Sequence, residues 1–241
     1  MLSGSRPLPG RGESGDWPAS TRDLALAFCV GFAIWVAVSG LATWSTDFGR
    51  HWDEGLALDA LQRSAEKKNP LPYKYFYPSL MHDIGLISVA IEGAGHPIFE
   101  RESCTTEFRR ELLLRARTVS AWITLFAVVG SAMLSAYLAR TCLAAFPAAV
   151  ILAGSFEYFY HARWLAPDGL LATASILGLG ALVVAVREQS KRWLTVGWVF
   201  AAVATGAKYP GGILLVPAIL ALWWVVPRGL QRRTAMRLLG V

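Results

Sequence analysis

Long runs without a charged residue are the feature of this sequence that most restricts its possible folds. Leu24 to Thr46 carries no charge, and neither does Thr118 to Ala139. A helix needs about 20 consecutive apolar residues to cross the hydrocarbon core of a membrane. The two runs therefore predict the first two membrane-spanning helices.

Four further apolar runs extend the pattern, and they cover 141–162, 169–186, 193–207 and 209–227. Hydrophobic residues make up 54% of the 241 residues, and charged residues only 17%. A soluble domain of this length would need more charge to cover its surface. We therefore predict an all-α, polytopic transmembrane bundle of about six spans. The net charge of +6 does not indicate nucleic acid, because most basic residues flank apolar runs.

The chain divides into three predicted parts. Residues 1–22 are rich in Gly, Pro, Ser and Arg and predict a disordered cytoplasmic tail. Residues 23–227 form the transmembrane domain, and 228–241 form a basic cytoplasmic segment. A long outer loop, 47–117, separates the first two spans and is expected to carry interfacial helices.

Two segments of the outer loop have helical patterns. In Glu54 to Lys67, the apolar side chains of Leu58, Leu61 and Ala65 share one face. Polar residues interrupt Leu80 to Phe99, so we predict an interfacial or re-entrant segment there rather than a span.

The basic residues predict the orientation. If Leu80 to Phe99 does not cross, the loops at Arg140, at 187–192 and at 228–237 share one side. Short loops rich in Lys and Arg are cytoplasmic. The long loop, the 163–168 turn and Lys208 then lie on the opposite, non-cytoplasmic face.

Ionisable side chains at membrane depth are functional candidates. Asp53 and Glu54 follow the first span, and one of them is a candidate catalytic base. Alternatively, they simply start the following helix, since acids in a first turn favour the helix dipole. Adjacent residues do not face one another along a helix, so a paired acid and base is not expected.

The other candidates lie in two turns. Arg163 and Asp168 suit a clamp on an anionic group, or an interfacial salt bridge that closes the turn. Lys208 suits phosphate binding, or snorkelling from a helix end. His161 is more often a packed residue than a base or ligand. One acid with two cations on one face suits a reaction with a phosphate leaving group.

The sequence at these turns resembles a known family. Ala162-Arg163-Trp164-Leu165-Ala166-Pro167-Asp168-Gly169-Leu170-Leu171 is its most specific part, and Ala207-Lys208-Tyr209-Pro210-Gly211 is a weaker one. With the Asp-Glu pair and an aromatic Tyr-Pro segment in the outer loop, this resembles the GT-C membrane glycosyltransferases. The likeness is to the protein O-mannosyltransferase and aminoarabinose-transferase group.

The resemblance implies an integral membrane enzyme that moves a sugar from a polyprenyl-phosphate donor to a lipid or protein acceptor, with inversion. It implies Asp53 with Glu54 as catalytic acids and Arg163, Lys208 and Lys74 near the donor phosphate. Asp168, His161 and Tyr209 would orient these groups. No cofactor is expected to be required, although a divalent metal is compatible, and the cell membrane with an outward active face is the expected location.

The chain departs from that family in having about half the usual number of spans. This suggests a truncated product, or a partner chain that supplies further spans. Two rival hypotheses remain: a non-catalytic transporter or flippase-like subunit, and an inactive structural module. No internal repeat of the kind many transporters carry is visible.

Overall fold

The computed structural model describes residues 19–43, 52–67, 78–92, 106–161 and 167–226. Within these ranges the chain is 93% helical and has no strands, which confirms the all-α prediction. The helices are α1 (Thr21–Thr43), α2 (Trp52–Lys67), α3 (Leu80–Glu92), α4 (Thr106–Ala139), α5 (Ala145–Gly154), α6 (Phe156–His161), α7 (Pro167–Glu188), α8 (Lys191–Ala207) and α9 (Leu215–Val225).

Three helices of the described part are long and apolar enough to cross a membrane. Their apolar stretches are Thr21–Val38, Leu113–Ala139 and Pro167–Glu188, which match the first, second and fourth predicted spans. Helix α4 has 34 residues. At 1.5 Å per residue it is about 51 Å long and exceeds the hydrocarbon core, about 30 Å thick, by several turns.

The remaining predicted spans correspond to shorter elements. The third is divided at Ser155, where the backbone is extended (ψ 125°) between the 10-residue α5 and α6. The fifth is the 17-residue α8. The sixth starts as a 3-10 helix, Tyr209–Leu214, before α9. Pro210, Gly211 and Gly212 lie at the start of this span, and proline and glycine are poor helix formers.

Helices α1 and α4 run antiparallel. A Cβ atom added at Gly31 of α1 would lie 3.0 Å from the Cα of Val129 in α4. The rings of Trp35 and Trp122 are 5.5 Å apart, so the end of α1 approaches the start of the α4 span. At the opposite level, Asp23 accepts a hydrogen bond from the Cys142 backbone N–H (3.3 Å), just beyond α4.

Helix α7 runs parallel to α4, and α8 returns antiparallel to α7. The hydroxyl of Tyr137, near the end of α4, donates to Glu188 at the end of α7 (2.7 Å). A Cβ atom at Gly178 of α7 would lie 3.1 Å from the Cβ of Phe200 in α8.

These directions define two ends of the bundle. The basic end holds the start of α1 and the turns at Arg140 and at 187–192. The opposite end, which we call the site end, holds the end of α6, the start of α7 and the residue after α8, Lys208. Among the described residues, the loops at Arg140 and at 187–192 thus lie at one end and Asp168 and Lys208 at the other, as the apolar pattern predicts.

Helices α2 and α3 pack at the site end. Leu58 (5% exposed) and Leu61 (1%) lie in one buried cluster with Met81, Leu170 and Ala207. The apolar face predicted for α2 is thus confirmed at these two leucines, and it is covered by protein. Helix α3 has 13 residues. It is about 20 Å long, and residues 93–99 of the predicted interfacial or re-entrant segment lie outside the described residues.

Candidate functional site

Asp168 is placed by the start of α7. Pro167 is the first helical residue, a position that suits proline because its fixed φ is already helical and no N–H is needed there. Asp168 follows in the first turn, where a carboxylate interacts favourably with the helix dipole. The local sequence therefore both begins the helix and sets the acid at its end.

Lys208 is placed by the break between α8 and the 3-10 helix. Its backbone is extended (φ −157°, ψ 140°), while its N–H still bonds to the Ala204 carbonyl. The Lys208 carbonyl accepts the Gly211 N–H at 2.8 Å and closes the turn. Lys208 therefore lies at the C-terminal end of a helix, where a cation is favoured.

Asp168 and Lys208 form an ion pair across the site end. The distance from Lys208 Nζ to Asp168 Oδ1 is 2.8 Å, and the two side chains are 25% and 26% exposed. The sequence predicted both residues as site candidates but paired Asp168 with Arg163. The partner that the structure shows is 40 positions away in the chain. Arg163 lies outside the described residues.

Gly211 holds this turn against α8. A Cβ atom at this position would overlap the backbone of Ala204 and Thr205. Only glycine permits this close approach. The division between the predicted spans 193–207 and 209–227 is thus confirmed at Lys208, where α8 ends and the 3-10 helix begins.

His161 and Tyr209 flank the pair in sequence. His161 is the last residue of α6, and its ring packs edge-on against Tyr160 at 5.3 Å. A Cβ atom at Gly169 would lie 3.5 Å from the His161 carbonyl, so the end of α6 adjoins the start of α7. Tyr209 is 67% exposed.

The predicted carboxylates lie on α2. Asp53 and Glu54 are the second and third residues of this helix. For these two residues the structure describes the backbone. Their position in the first turn agrees with a helix-starting role and leaves a catalytic one open. From Asp53 to the buried Leu58, the helix advances about 7.5 Å.

The predicted phosphate ligand Lys74 lies outside the described residues.

A buried polar layer beneath the ion pair was missed by the sequence analysis. The Tyr158 hydroxyl of α6 donates to the Thr124 carbonyl of α4 at 2.7 Å. Thr173 Oγ1 of α7 donates to the Gly169 carbonyl at 2.8 Å. The Tyr158 bond holds α6 against α4, and Thr173 Oγ1, which also lies 3.3 Å from the Ile123 carbonyl, links α7 to α4. The available signal was a Tyr and a Thr inside predicted spans.

The described side chains include no group of three or more His, Cys, Asp or Glu residues that could hold a metal ion. The described cysteines, Cys29 and Cys142, are free thiols. The ion pair whose geometry is given above, Asp168–Lys208, joins the start of α7 to the end of α8 at the site end.

Residues 138–241 match the model of the dolichyl-phosphate-mannose-protein mannosyltransferase family. This confirms the resemblance to the GT-C membrane glycosyltransferases. The matched segment contains Asp168 and Lys208, and it leaves Asp53 outside. No match was found among curated proteins or among solved structures.

The description of the matched family names a mannosyltransferase with a dolichyl-phosphate-mannose donor, and the match covers less than half of the chain. Together with the three candidate spans, it supports an integral membrane protein. It favours an enzyme over the transporter hypothesis.

Proposed function

We propose that the protein transfers a sugar from a polyprenyl-phosphate donor to a lipid or protein acceptor at the site end, with inversion. The observation that carries this proposal is the Asp168–Lys208 ion pair, which lies inside the segment matched by the mannosyltransferase family. In the cell, the site end would face away from the cytoplasm, because the short loops at the other end are rich in basic residues.

In the proposed reaction, Lys208 binds the donor phosphate and stabilises the charge that develops on it as it leaves. An ammonium group serves here as a point charge. Asp168 orients Lys208 through their 2.8 Å contact. Both residues occupy helix ends, so their backbones are held by packed helices. Arg163 and Lys74 are proposed as further phosphate ligands, with His161 and Tyr209 in supporting positions.

Asp53 is the proposed general base. It removes the proton from the acceptor hydroxyl while the acceptor oxygen bonds to the sugar and the bond to the phosphate oxygen breaks. A single displacement of this kind inverts the anomeric centre. Support comes from α2, whose leucines share a buried cluster with Leu170 and Ala207. Leu170 lies two residues after Asp168 in α7, and Ala207 directly precedes Lys208 at the end of α8.

The test is a transfer assay in proteoliposomes. Labelled polyprenyl-phosphate mannose and a pentosyl analogue are offered with lipid and peptide acceptors. Wild type is compared with Asp53→Asn and with Asp59→Asn, which removes a second acid from the same helix. We expect Asp53→Asn to reduce transfer at least 100-fold, within the range typical of general-base loss, and Asp59→Asn to retain it.

Lys208→Gln separates binding from proton transfer. We expect it to weaken binding of unglycosylated polyprenyl phosphate, whereas Asp53→Asn should leave that binding intact. Full turnover by Asp53→Asn would contradict the assigned base. Equal phosphate binding by wild type and Lys208→Gln would contradict the assigned phosphate site.

A further inference from the structure

The basic end carries a cluster of cations that the proposed reaction does not use. Its exposed members are Arg22, Arg140, Arg187, Lys191 and Arg192. They come from the start of α1, the turn after α4, and the junction of α7 with α8, which the bundle brings to one level.

The two carboxylates that the structure describes at this end, Asp23 and Glu188, accept hydrogen bonds from uncharged donors. Asp23 accepts from the Ser20 hydroxyl (2.5 Å) and from the Cys142 N–H (3.3 Å). Glu188 accepts from the Tyr137 hydroxyl at 2.7 Å. Among the described residues at this end, five cations therefore lie near two acids whose oxygens bind neutral groups, so that cations outnumber acids there.

Arg187 is held in place by an aromatic ring. Its guanidinium carbon lies 5.2 Å from the centre of the Tyr137 ring. A cation over a ring face is attracted by the ring quadrupole. The same tyrosine fixes Glu188, so one side chain of α4 positions the last two residues of α7. This reduces the entropy that Arg187 would lose on binding an anion.

Helix stability does not explain the next two cations. Lys191 and Arg192 occupy the first turn of α8, which contains no acid. A cation there meets the positive end of the helix dipole and is disfavoured. Their place in a short loop agrees with the predicted orientation, and it also leaves their charge available to an anion at the membrane surface.

Exposed apolar side chains lie directly beside these charges. Trp193 follows Arg192 and is 43% exposed, while Leu143 lies three residues after Arg140 and is 79% exposed. Tryptophan is typical of the membrane–water interface. The surface thus offers cations at headgroup level and apolar contacts next to them.

We propose that this basic end, centred on Arg187 and Arg192, binds an anionic phospholipid. The headgroup phosphate is bound by the guanidinium groups, as charge-assisted hydrogen bonds allow, and the acyl chains lie against the adjacent apolar side chains. A phospholipid fits this surface better than a free phosphate does, because only the lipid uses both features. The inference does not depend on the proposed transferase reaction.

The test is native mass spectrometry of the whole protein released from neutral detergent. Equal amounts of phosphatidylglycerol and phosphatidylcholine are added, and the ratio of the two bound lipids is measured. Wild type is compared with Arg187→Gln/Arg192→Gln. The control is Arg63→Gln/Lys67→Gln, which removes the same charge from exposed residues of α2 at the other end.

We expect wild type to retain phosphatidylglycerol at least tenfold over phosphatidylcholine. The basic-end variant should lose most of this preference, and the α2 variant should keep it. Circular dichroism checks that both variants remain helical. If Arg187→Gln/Arg192→Gln fails to fold, wild type at rising salt supplies the test, because the preference should fall as exposed charges are screened.

Two results would overturn the proposal. The first is an equal loss of preference in both variants, which would indicate a general charge effect. The second is full competition by sn-glycerol 3-phosphate at the concentration of the lipid, which would indicate an anion site that makes no use of acyl chains. Failure of this proposal would leave the transfer reaction at the other end untouched.

Discussion

Replacing Gly211 by alanine should damage the fold far more than the same change at Gly212. A Cβ atom at Gly211 would overlap backbone atoms of Ala204 and Thr205 in the last turn of α8, whereas at Gly212 its nearest neighbour would be the Thr205 methyl group, 4.0 Å away. A backbone clash cannot be relieved by a side-chain rotation. The 3-10 turn must move away from α8, and Lys208 moves with it.

The expected cost follows from this geometry. Overpacking of a well-packed site costs about 1–3 kcal/mol and occasionally more. Because the obstructing atoms are backbone, we expect about 3 kcal/mol for Gly211→Ala. For a chain of this size, 1 kcal/mol shifts the Tm by about 2–4 °C, so the Tm should fall by roughly 6–12 °C. Gly212→Ala should be neutral or slightly stabilising, since alanine lowers the entropy of the unfolded chain.

Thermal unfolding in mild detergent, followed by far-UV circular dichroism, measures both variants. The paired comparison cancels the effect of the detergent, because both changes add one methyl group to neighbouring positions. Melting temperatures within about 2 °C of each other would refute the close approach of Gly211 to α8.

Three further tests use the same melting assay, each on a separate contact. In a double-mutant cycle of Asp168→Asn and Lys208→Gln, each single change should cost about 1–2 kcal/mol, between the values for exposed and buried pairs; the double variant should cost little more than either, and additive costs would exclude the ion pair. Gly55→Ala should raise stability by about 0.5–1 kcal/mol, since the position is helical and open, with no atom within 4 Å of the added Cβ; a lower Tm would indicate an unseen neighbour. Tyr158→Phe should cost about 1 kcal/mol through loss of its buried 2.7 Å hydrogen bond to α4, and an unchanged Tm would argue against that bond.

Much of the architecture could be predicted because it depends on local properties of the sequence. A charge-free run long enough to cross a membrane predicts a helix wherever it occurs, as at α1, α4 and α7. The apolar face of α2 follows from residue spacing alone, and Leu58 and Leu61 are buried as expected. The turn after α8 follows from a proline with two glycines.

The internal break at Ser155 was not predictable in this way. The run from α5 into α6 carries one acid, Glu157, and the helix ends at Gly154 and Ser155. A Gly-Ser pair can break a helix, but it does so only in some contexts and is a weak signal inside an apolar run. The break depends on tertiary contacts of α6, in which Tyr158 bonds to the neighbouring α4. Such contacts override helix propensity, which is a weak determinant over a few residues.

The candidate site shows the same limit. Asp168 and Lys208 were each identifiable, because a charged residue at the end of an apolar run is unusual. Their pairing was not, since it joins positions 40 apart. The nearer cation, Arg163, was the reasonable partner from sequence alone. Which cation reaches the acid depends on how α7 and α8 pack.

The packing of α7 against α8 is determined by contacts far from the ion pair. Lipid tails are as apolar as leucine, so helices in a membrane associate through close contact rather than through the hydrophobic effect. Between α7 and α8 the close contact is made by small residues: a Cβ atom at Gly178 would lie 3.7 Å from the Gly197 carbonyl, and Ala201 and Ala204 are fully buried. The two helices are rigid over these turns, so their separation at Gly178 also determines their separation at Asp168. The distance between the acid and the lysine is therefore set along the whole helix pair, and a larger residue in the middle of the membrane should disturb the site without touching it.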